Sequence, residues 1–323
     1  MNTTIDQEVW HQHAWRNRLQ ALLLLVTMGG FLALLGWLLW GALGLVLLLF
    51  IGLMAMFFTP QLSPYLVMGL YQARPIQPQQ SPPLWRLMQE LAQRAGLDYV
   101  PQLYYVPSQV LNAFATGGRD RAAIAITDGL LRSMNLRELA GVLGHEMSHI
   151  RNRDLWVMNL ADLLSRATRL LSLLGQFLLL LNLPLLLFGA VSINWLAIAL
   201  LIIAPLLSAL AQLALARNRE FDADLNAARL TGDPDGLASA LNKLEQLQGG
   251  WMERLFINHS RPAQPSPLRT HPETGERIER LMALKPQLPV RQPIHLEEWL
   301  EQVNHFGPPI SRVPRRHING LFH

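Results

Sequence analysis

The chain has 323 residues, of which 50% are hydrophobic and only 15% are charged. Soluble domains usually carry about 25% charged residues, so this composition argues against a fully water-soluble protein, and it excludes disorder over most of the chain. The chain contains no cysteine, which excludes disulfides, cysteine-bound metal and thiol nucleophiles.

Two long segments without a charged residue are the first features in chain order. They cover residues 19–73, a run of 55, and residues 170–216, a run of 47. One membrane span needs about 20 apolar residues, so each segment is long enough for two. We predict spans at 19–40 and 43–60, with a turn near 41–44, and at 170–189 and 195–216, with a turn near 189–194. The first segment exceeds the ~7–15 residues of a signal-peptide core, so we predict a permanent anchor.

The placement of the arginines predicts how these spans are oriented. Neither predicted turn contains a lysine or an arginine. The flanks of the apolar segments do contain arginines, namely Arg16, Arg18, Arg74, Arg166, Arg169, Arg217 and Arg219. By the positive-inside rule, both termini and residues 74–169 and 217–323 are predicted to lie on the cytoplasmic side of the cell (inner or plasma) membrane. Arginines beside a membrane favour anionic lipid headgroups, so the net charge of +4 needs no nucleic-acid partner.

The segment between the apolar regions contains helical and β-type patterns. Apolar residues at helical spacing predict a helix that starts near Leu84 and ends near Gly96. Three β-type runs follow at 102–106, 113–117 and 122–127, separated by turn-forming residues, and they predict a small sheet. Asn135, with Glu138 three positions later, predicts a capping box at the start of another helix.

That helix contains the sequence His145-Glu146-Met147-Ser148-His149. Histidines four positions apart share one face of a helix, so both imidazoles can bind one Zn²⁺. Glu146 lies beside them, where its carboxylate can accept a proton from water. About 0.01 chance matches are expected in a chain of this composition, which disfavours the alternative of a polar helix face with two solvated histidines.

The segment after the last span supplies a candidate third ligand. A catalytic zinc site needs three protein ligands and one open position, and residues 217–230 predict a helix that carries Glu220. Asp224 lies one turn later on the same face, where it can hydrogen-bond a ligand histidine. From spacing alone, a solvated acidic pair that balances Arg217 and Arg219 remains the alternative.

Four strings in order carry a resemblance to a known family. They are LNAFATG at 111–117, HEMSH at 145–149 followed by Ile150, Asn152 and Asp154, REF at 219–221 followed by Ala223 and Asp224, and THP at 270–272 followed by Arg277 and Ile278. Together they resemble the HtpX family of membrane-embedded zinc metalloproteases, which are gluzincins related to the CAAX prenyl proteases. The resemblance covers residues 15–285, and it leaves the connection at 54–73 and the tail beyond Pro286 unassigned.

The resemblance implies a specific metal site. It implies one zinc ion per chain, bound by His145, His149 and Glu220, with Glu146 as the catalytic base. It also implies that Asp224 lies beside these ligands.

The resemblance further implies how the substrate is bound. It implies that His271 helps to stabilise the transition state and that Asn112, Ala113 and Arg277 lie near the substrate. Gluzincins hold the substrate extended along the edge of a sheet, and we predict the run 122–127 as that edge, with 112–117 nearby.

The predicted fold is an α-helical integral membrane protein with four transmembrane helices in two hairpins and a cytoplasmic α+β zincin-like metalloprotease domain. The predicted segments are listed in chain order. They are 1–73 with the first hairpin, 74–169 with the H-E-x-x-H helix, 170–216 with the second hairpin, 217–285 with the third zinc ligand, and the proline-rich tail 286–323.

The predicted function is zinc-dependent hydrolysis of peptide bonds in misfolded or damaged membrane proteins at the cytoplasmic face. Quality control and a role in the stress response follow from the resemblance. One alternative is a CAAX-type prenyl protease, which is disfavoured because those relatives carry more than four spans. Another is a non-catalytic zinc-binding membrane scaffold, which is disfavoured because a structural zinc site needs no base such as Glu146.

Overall fold

The structure is a computed structural model that describes residues 7–58, 63–118, 121–184, 195–255 and 274–283. Within these residues the helices are α1 (Gln7–Phe58), α2 (Pro64–Leu70), α3 (Pro82–Ala95), α4 (Asp128–Ser133), α5 (Leu136–Asn152), α6 (Asp154–Leu181), α7 (Trp195–Thr231), α8 (Pro234–Leu255) and α9 (Thr274–Ala283). The strands are β1 (Arg74–Pro75), β2 (Gln102–Val106), β3 (Ala113–Thr116) and β4 (Ala123–Thr127).

Three of the described helices are long and apolar enough to cross a membrane. These stretches are Arg18–Leu48 in α1, Asp154–Leu181 in α6 and Ile198–Thr231 in α7. Three of the four predicted spans overlap these helices, although α6 begins at Asp154, well before the predicted start at 170. The predicted span 43–60 falls in the second part of α1, and its crossing of the membrane stays a prediction. The predicted turn at 189–194 lies outside the described residues.

Gly41 interrupts α1. Its φ of 63° and ψ of −146° are not helical, and a glycine adopts this positive φ more easily than any residue with a β-carbon. Beyond this point the side chain of Leu48 lies against Gly36, although a straight helix would separate the two by about 18 Å. The chain therefore reverses direction near Gly41, within the range where the sequence predicted a turn.

Two apolar clusters show how α1, α6 and α7 run past one another. The first cluster contains Ala21, Ala161 and Leu215, and the second contains Leu35, Leu171 and Leu201. From the first cluster to the second, the residue number rises in α1 and α6 and falls in α7. Helix α7 is therefore antiparallel to the other two. The beginning of α6, the end of α7 and the chain around Ala21 lie at the same end of the bundle.

A hydrogen bond between α6 and α7 replaces a backbone hydrogen bond that α7 lacks. Pro205 lies within this helix, and because proline has no N–H, the carbonyl of Leu201 loses its normal helical donor. The hydroxyl of Ser172 in α6 donates a hydrogen bond to that carbonyl, and the amide of Gln176 lies 3.5 Å from it. In a lipid environment a carbonyl without a donor is costly, and side chains of neighbouring helices are the usual remedy.

We expect Ser172→Ala to destabilise the chain by about 1 kcal/mol, because this contact is a hydrogen bond between two membrane helices. Thermal unfolding of the detergent-solubilised chain measures the change. Thr27→Ala is the matched control, since the Thr27 hydroxyl bonds the carbonyl of Leu23 in its own helix. An equal effect of the two substitutions would contradict a role for Ser172 between helices.

The order of the strands shows that one prediction was wrong, namely which strand forms the edge proposed to bind substrate. Its strand order is β1-β2-β4-β3, in which β4 pairs in parallel with β2 and antiparallel with β3. The run 122–127, predicted as the edge, therefore forms the internal strand β4, and the edge is β3. All five residues of β4 are buried, as expected for a continuously apolar strand that is covered on both faces.

The predicted capping box of α5 is confirmed. The Asn135 side chain accepts a hydrogen bond from the N–H of Glu138 at 2.8 Å, and the Glu138 carboxylate accepts one from the N–H of Asn135 at 2.9 Å. One face of α5 packs into the core with α3 and the sheet. On another face Gly141 lies so close to Leu237 that a β-carbon would come within 2.8 Å of the Leu237 Cα. A small residue is therefore required where α5 meets α8.

Burial raises the pKa of Glu138, but hydrogen bonds from Lys243, the Asn135 N–H and Ser239 outweigh it and lower the pKa overall. A carboxyl whose pKa is lowered in the folded state stabilises that state above its unfolded pKa, and this contribution is lost as the pH falls.

We expect Lys243→Met to reduce the free energy of unfolding by about 2 kcal/mol at pH 7, because a buried carboxylate then loses a charged donor 2.7 Å away. The loss should shrink near pH 4, where the carboxyl can take up a proton. Denaturant unfolding at both pH values measures this, and a loss that does not depend on pH would contradict it.

Candidate metal centre

The two histidines of the H-E-x-x-H sequence meet Glu220 in space. His145 and His149 lie on α5 with their Nε2 atoms 3.1 Å apart. Each Nε2 atom also lies 3.7 Å from a carboxylate oxygen of Glu220. The ligand atoms of the three residues are all within 4.8 Å of one another. The structure thus brings together the three predicted metal ligands.

Helix α7 carries Glu220 because it continues beyond the uncharged run. The helix continues from Trp195 to Thr231, so the predicted last span and the predicted ligand helix are one element. Small residues allow it to approach α5, since a β-carbon on Gly144 would lie 3.5 Å from the Ala227 Cα. Glu220 comes four residues after Ala216, the last residue of the uncharged run.

Carboxylates behind the histidines fix which ring nitrogens face the centre. The Nδ1 of His145 hydrogen-bonds Asp224 and the Nδ1 of His149 hydrogen-bonds Asp154, both at 2.9 Å. An ionised carboxylate only accepts hydrogen bonds, so each Nδ1 carries the hydrogen. The two Nε2 lone pairs then point at each other and at the Glu220 carboxylate.

A positive charge has to lie among these three acceptors. Burial alone would lower the pKa of His149, but the hydrogen bond to Asp154 and the charges of Glu146, Asp154 and Glu220 raise it to about 9. The same acidic neighbours favour a metal cation at this position, and histidine ligands bind metal in their neutral form. Two imidazoles and one carboxylate at these separations fit a divalent ion such as Zn²⁺.

Glu146 lies between the metal ligands and the edge strand. Its carboxylate accepts a hydrogen bond from the N–H of Ala115 at 2.9 Å. Burial raises the pKa of Glu146, although His149, His145 and the Ala115 N–H act in the opposite direction. A carboxylate with a raised pKa is better matched to proton transfer near neutral pH than an exposed one.

Arg277 of α9 forms ion pairs with Asp224 and Glu220. Its guanidinium makes two hydrogen bonds of 2.6 Å to Asp224, and it lies 3.4 Å from Glu220. Its side chain is only 11% exposed. The contacts are to residues that hold or orient the metal ligands, and a contact of Arg277 with substrate stays a prediction.

The other predicted site residues lie near β3 or outside the described part of the chain. Asn112 precedes β3, and its backbone is hydrogen-bonded to Thr127. Hydrogen bonds of an antiparallel pair alternate along the strand, so Ala113 and Ala115 turn their N–H and C=O groups outward. Ala113 therefore lies on an outer strand of the sheet, and its contact with substrate stays a prediction. His271 lies outside the described residues.

Asp154 is a site residue that sequence reasoning did not assign. It orients His149, and it also lies 3.3 Å from the guanidinium of Arg219. The helix break at Arg153, which has a φ of 55°, turns Asp154 back towards His149. Asp154 follows the HEMSH sequence in the second string that resembled a known family, and this was the only sequence signal for its role.

We expect Asp154→Asn to weaken metal binding about 10–100-fold, the usual effect of removing a carboxylate that orients a ligand histidine. Titration of the metal-free chain with Zn²⁺ measures the affinity. Asp162→Asn is the matched control in the same helix, because Asp162 pairs with Arg166 on the exposed side. Equal affinities of the two variants would show that Asp154 does not support the site.

The chain is similar to several known proteins. Residues 78–285 match the family described as Peptidase family M48. A protein from Acaryochloris marina named Protease HtpX homolog is 40% identical over 247 residues, which cover 72% of this chain and 82% of that protein. A protein of the same name from Desulfatibacillum aliphaticivorans is 34% identical over 84% of this chain and 91% of its own length. The crystal structure of S. mikatae Ste24p aligns with a TM-score of 0.43 and 18% identity, over 84% of this chain and 66% of that one.

Proposed function

The chain belongs to peptidase family M48, and on that ground we propose that it is a zinc-dependent endopeptidase acting at the cytoplasmic surface of the cell membrane. Family membership and the three helices able to span a membrane make it a membrane metalloprotease. The zinc ion, the cytoplasmic side and the substrates named below belong to the proposal.

One observation carries the proposal. His145, His149 and Glu220 converge on one point, and the Glu146 carboxylate lies beside that point in contact with the N–H of Ala115. A structural zinc site is normally closed by four protein ligands and needs no base. Three ligands beside a buried carboxylate are typical of a hydrolytic centre.

Each residue of the site has a separate proposed role in hydrolysis. When bound, zinc supplies Lewis-acid chemistry that polarises the scissile carbonyl and makes the attacking water more acidic. Glu146 accepts the proton of that water and returns it to the leaving amine. Asp224 and Asp154 keep the two imidazoles in the tautomer that leaves Nε2 free for metal. We further propose that His271 stabilises the developing negative charge on the carbonyl oxygen.

The edge strand supports binding of an extended polypeptide. Outward-facing backbone groups of β3 can pair with a substrate strand, as in other cases of strand addition. Main-chain pairing requires no particular sequence, so we expect broad specificity. Asn112 and Ala113 are proposed to bind substrate on this edge, which ends beside Glu146.

The position of Glu220 near the end of the uncharged run supports the proposal that the substrates are membrane proteins. Glu220 follows the uncharged run by four residues, which is about 6 Å along a helix. The metal centre would therefore meet the loops and tails of membrane proteins first. We propose misfolded or damaged membrane proteins as substrates, in a quality-control and stress-response role.

Full-length protein purified in detergent tests the proposal. We expect it to contain about one zinc ion per chain and to cleave unfolded casein, to lose cleavage when 1,10-phenanthroline removes the metal, and to regain it with added Zn²⁺. Cleavage that survives complete removal of metal would refute the proposal.

The two alternatives predict different results in the same assay. A CAAX-type prenyl protease would cleave only peptides with a prenylated cysteine three residues before the C-terminus. A zinc-binding scaffold would hold the metal and cleave neither substrate. Cleavage of unmodified casein distinguishes the proposed activity from both.

A further inference from the structure

Helix α2 exposes an apolar face that is unlike the rest of the protease part. The exposed fractions of Tyr65, Leu66 and Leu70 are 80%, 64% and 66%. Outside α1, α6 and α7, the only other large apolar side chains exposed among the described residues are Leu183, which follows α6, and Leu247. The helix, with the sequence PYLVMGL, contains no charged residue.

The opposite face of α2 is anchored to the sheet. Met68 is 2% exposed and packs with Tyr104, Val106 and Ala125 on one face of the sheet. The helix therefore has apolar residues on both sides, one covered by protein and one uncovered. A helix that is apolar all round is typical of a buried or membrane-associated segment.

The ends of α2 contact the edge strand and the turn after it. The ring of Tyr71, just after the helix, lies 4.9 Å from the ring of Phe114 in β3. Pro64 lies so close to Gly117 that a β-carbon there would come within 2.8 Å of the proline ring. Helix α2 therefore packs against both ends of β3, the strand whose Ala115 N–H hydrogen-bonds Glu146.

The path of the chain brings α2 near the end of the bundle that carries the metal centre. Because the chain reverses near Gly41, the second part of α1 runs back towards the end of the bundle where Ala21 lies. Helix α1 ends at Phe58, and the five residue steps to Ser63 span at most about 18 Å. The end of α7, which carries Glu220, lies at the same end of the bundle.

We propose that α2 lies in the lipid interface, with Tyr65, Leu66 and Leu70 inserted between the headgroups and the acyl chains. Tyrosine is enriched at this depth, and the exposed Arg74 four residues after the helix is suited to pair with lipid phosphates. In this position α2 sets the height of β3 above the membrane. The inference depends on the chain spanning a membrane and does not depend on its cleaving any substrate.

Single cysteines test this placement directly, because the chain has none of its own. Leu66→Cys is labelled with an environment-sensitive fluorophore and reconstituted in vesicles of phosphatidylcholine and phosphatidylglycerol. Tyr65→Cys is a second probe of the same face in case the first variant folds poorly. Gln93→Cys, on an exposed position of α3, is the aqueous reference, and Leu173→Cys on the outside of α6 is the lipid reference.

We expect aqueous iodide to quench the label at 66 roughly tenfold less than the label at 93, since interfacial helices bury their apolar face below the headgroups. Nitroxides attached to lipid headgroups should quench it strongly. Equal iodide quenching at 66 and 93 in vesicles would overturn the proposal.

Two other occupants of this face give different results, and each would also overturn the proposal. If an unfolded polypeptide covers the face, the label at 66 becomes shielded only when casein is added. If a second copy of the chain covers it, shielding rises with the ratio of protein to lipid, and unlabelled Leu66→Cys forms disulfide-linked dimers.

Discussion

Glu146→Gln is expected to lower the rate of casein cleavage by about 10²–10⁴-fold, the usual contribution of a general acid–base group. The amide keeps the shape of the side chain, but it cannot accept the proton of the attacking water. The three metal ligands remain in place, so the variant should retain its zinc. Initial cleavage rates and elemental analysis of the same preparation measure both properties.

Retained metal is what makes this result informative. A variant that lost both metal and activity would show only that the site had been disrupted. Cleavage close to the rate of the unmodified chain, with metal bound, would refute Glu146 as the base. The same variant can hold substrates without cleaving them, so a pull-down with it would identify the proteins that the enzyme acts on.

Glu220→Ala is expected to abolish both metal binding and cleavage. Removing a carboxylate that only orients a ligand costs about 10–100-fold in metal affinity, so the loss of a ligand should exceed that range. His149→Ala should behave in the same way. Zinc titration and the casein assay measure the two effects.

Glu279→Ala is the control for this substitution, because it removes an exposed carboxylate from the neighbouring helix α9. It should leave zinc content and cleavage unchanged. If Glu220→Ala still carried one zinc ion per chain, the third ligand would have to be another residue. The identity of the ligand and that of the base are therefore tested independently.

The two candidate metal ligands on α5 could be predicted from the sequence because their geometry is local. Two histidines four positions apart face the same side of any regular helix. The capping box at Asn135 and Glu138 gave the helix start for a similar reason, since it depends on residues three positions apart. Glu220 was harder, and spacing alone left a solvated acidic pair as an alternative.

The residues that orient the ligands required the tertiary structure. In an unbroken helix Asp154 would lie about 140° around the axis from His149, too far to touch it. The left-handed backbone at Arg153 breaks that regularity and brings the two side chains together. Helix periodicity could therefore not place Asp154 in the site.

The sheet edge was predicted wrongly although a local signal was present. Residues 122–126 are apolar at every position, and strands without alternation are typically internal. Helix α2 gave no comparable signal, because its composition continues that of the preceding apolar segment. Its length of seven residues and its packing against Tyr104 and Val106 separate it from a membrane span.

Asp154 and Asp224 both belong to helices long and apolar enough to cross the membrane, and this has a consequence for newly synthesised chains. Asp154 follows His149 by only five residues, whereas Asp224 reaches His145 only when α7 packs beside α5. A chain whose α7 has not yet been synthesised lacks both Glu220 and Asp224. We therefore expect metal to bind only after the last of these membrane helices has been synthesised and has packed against α5.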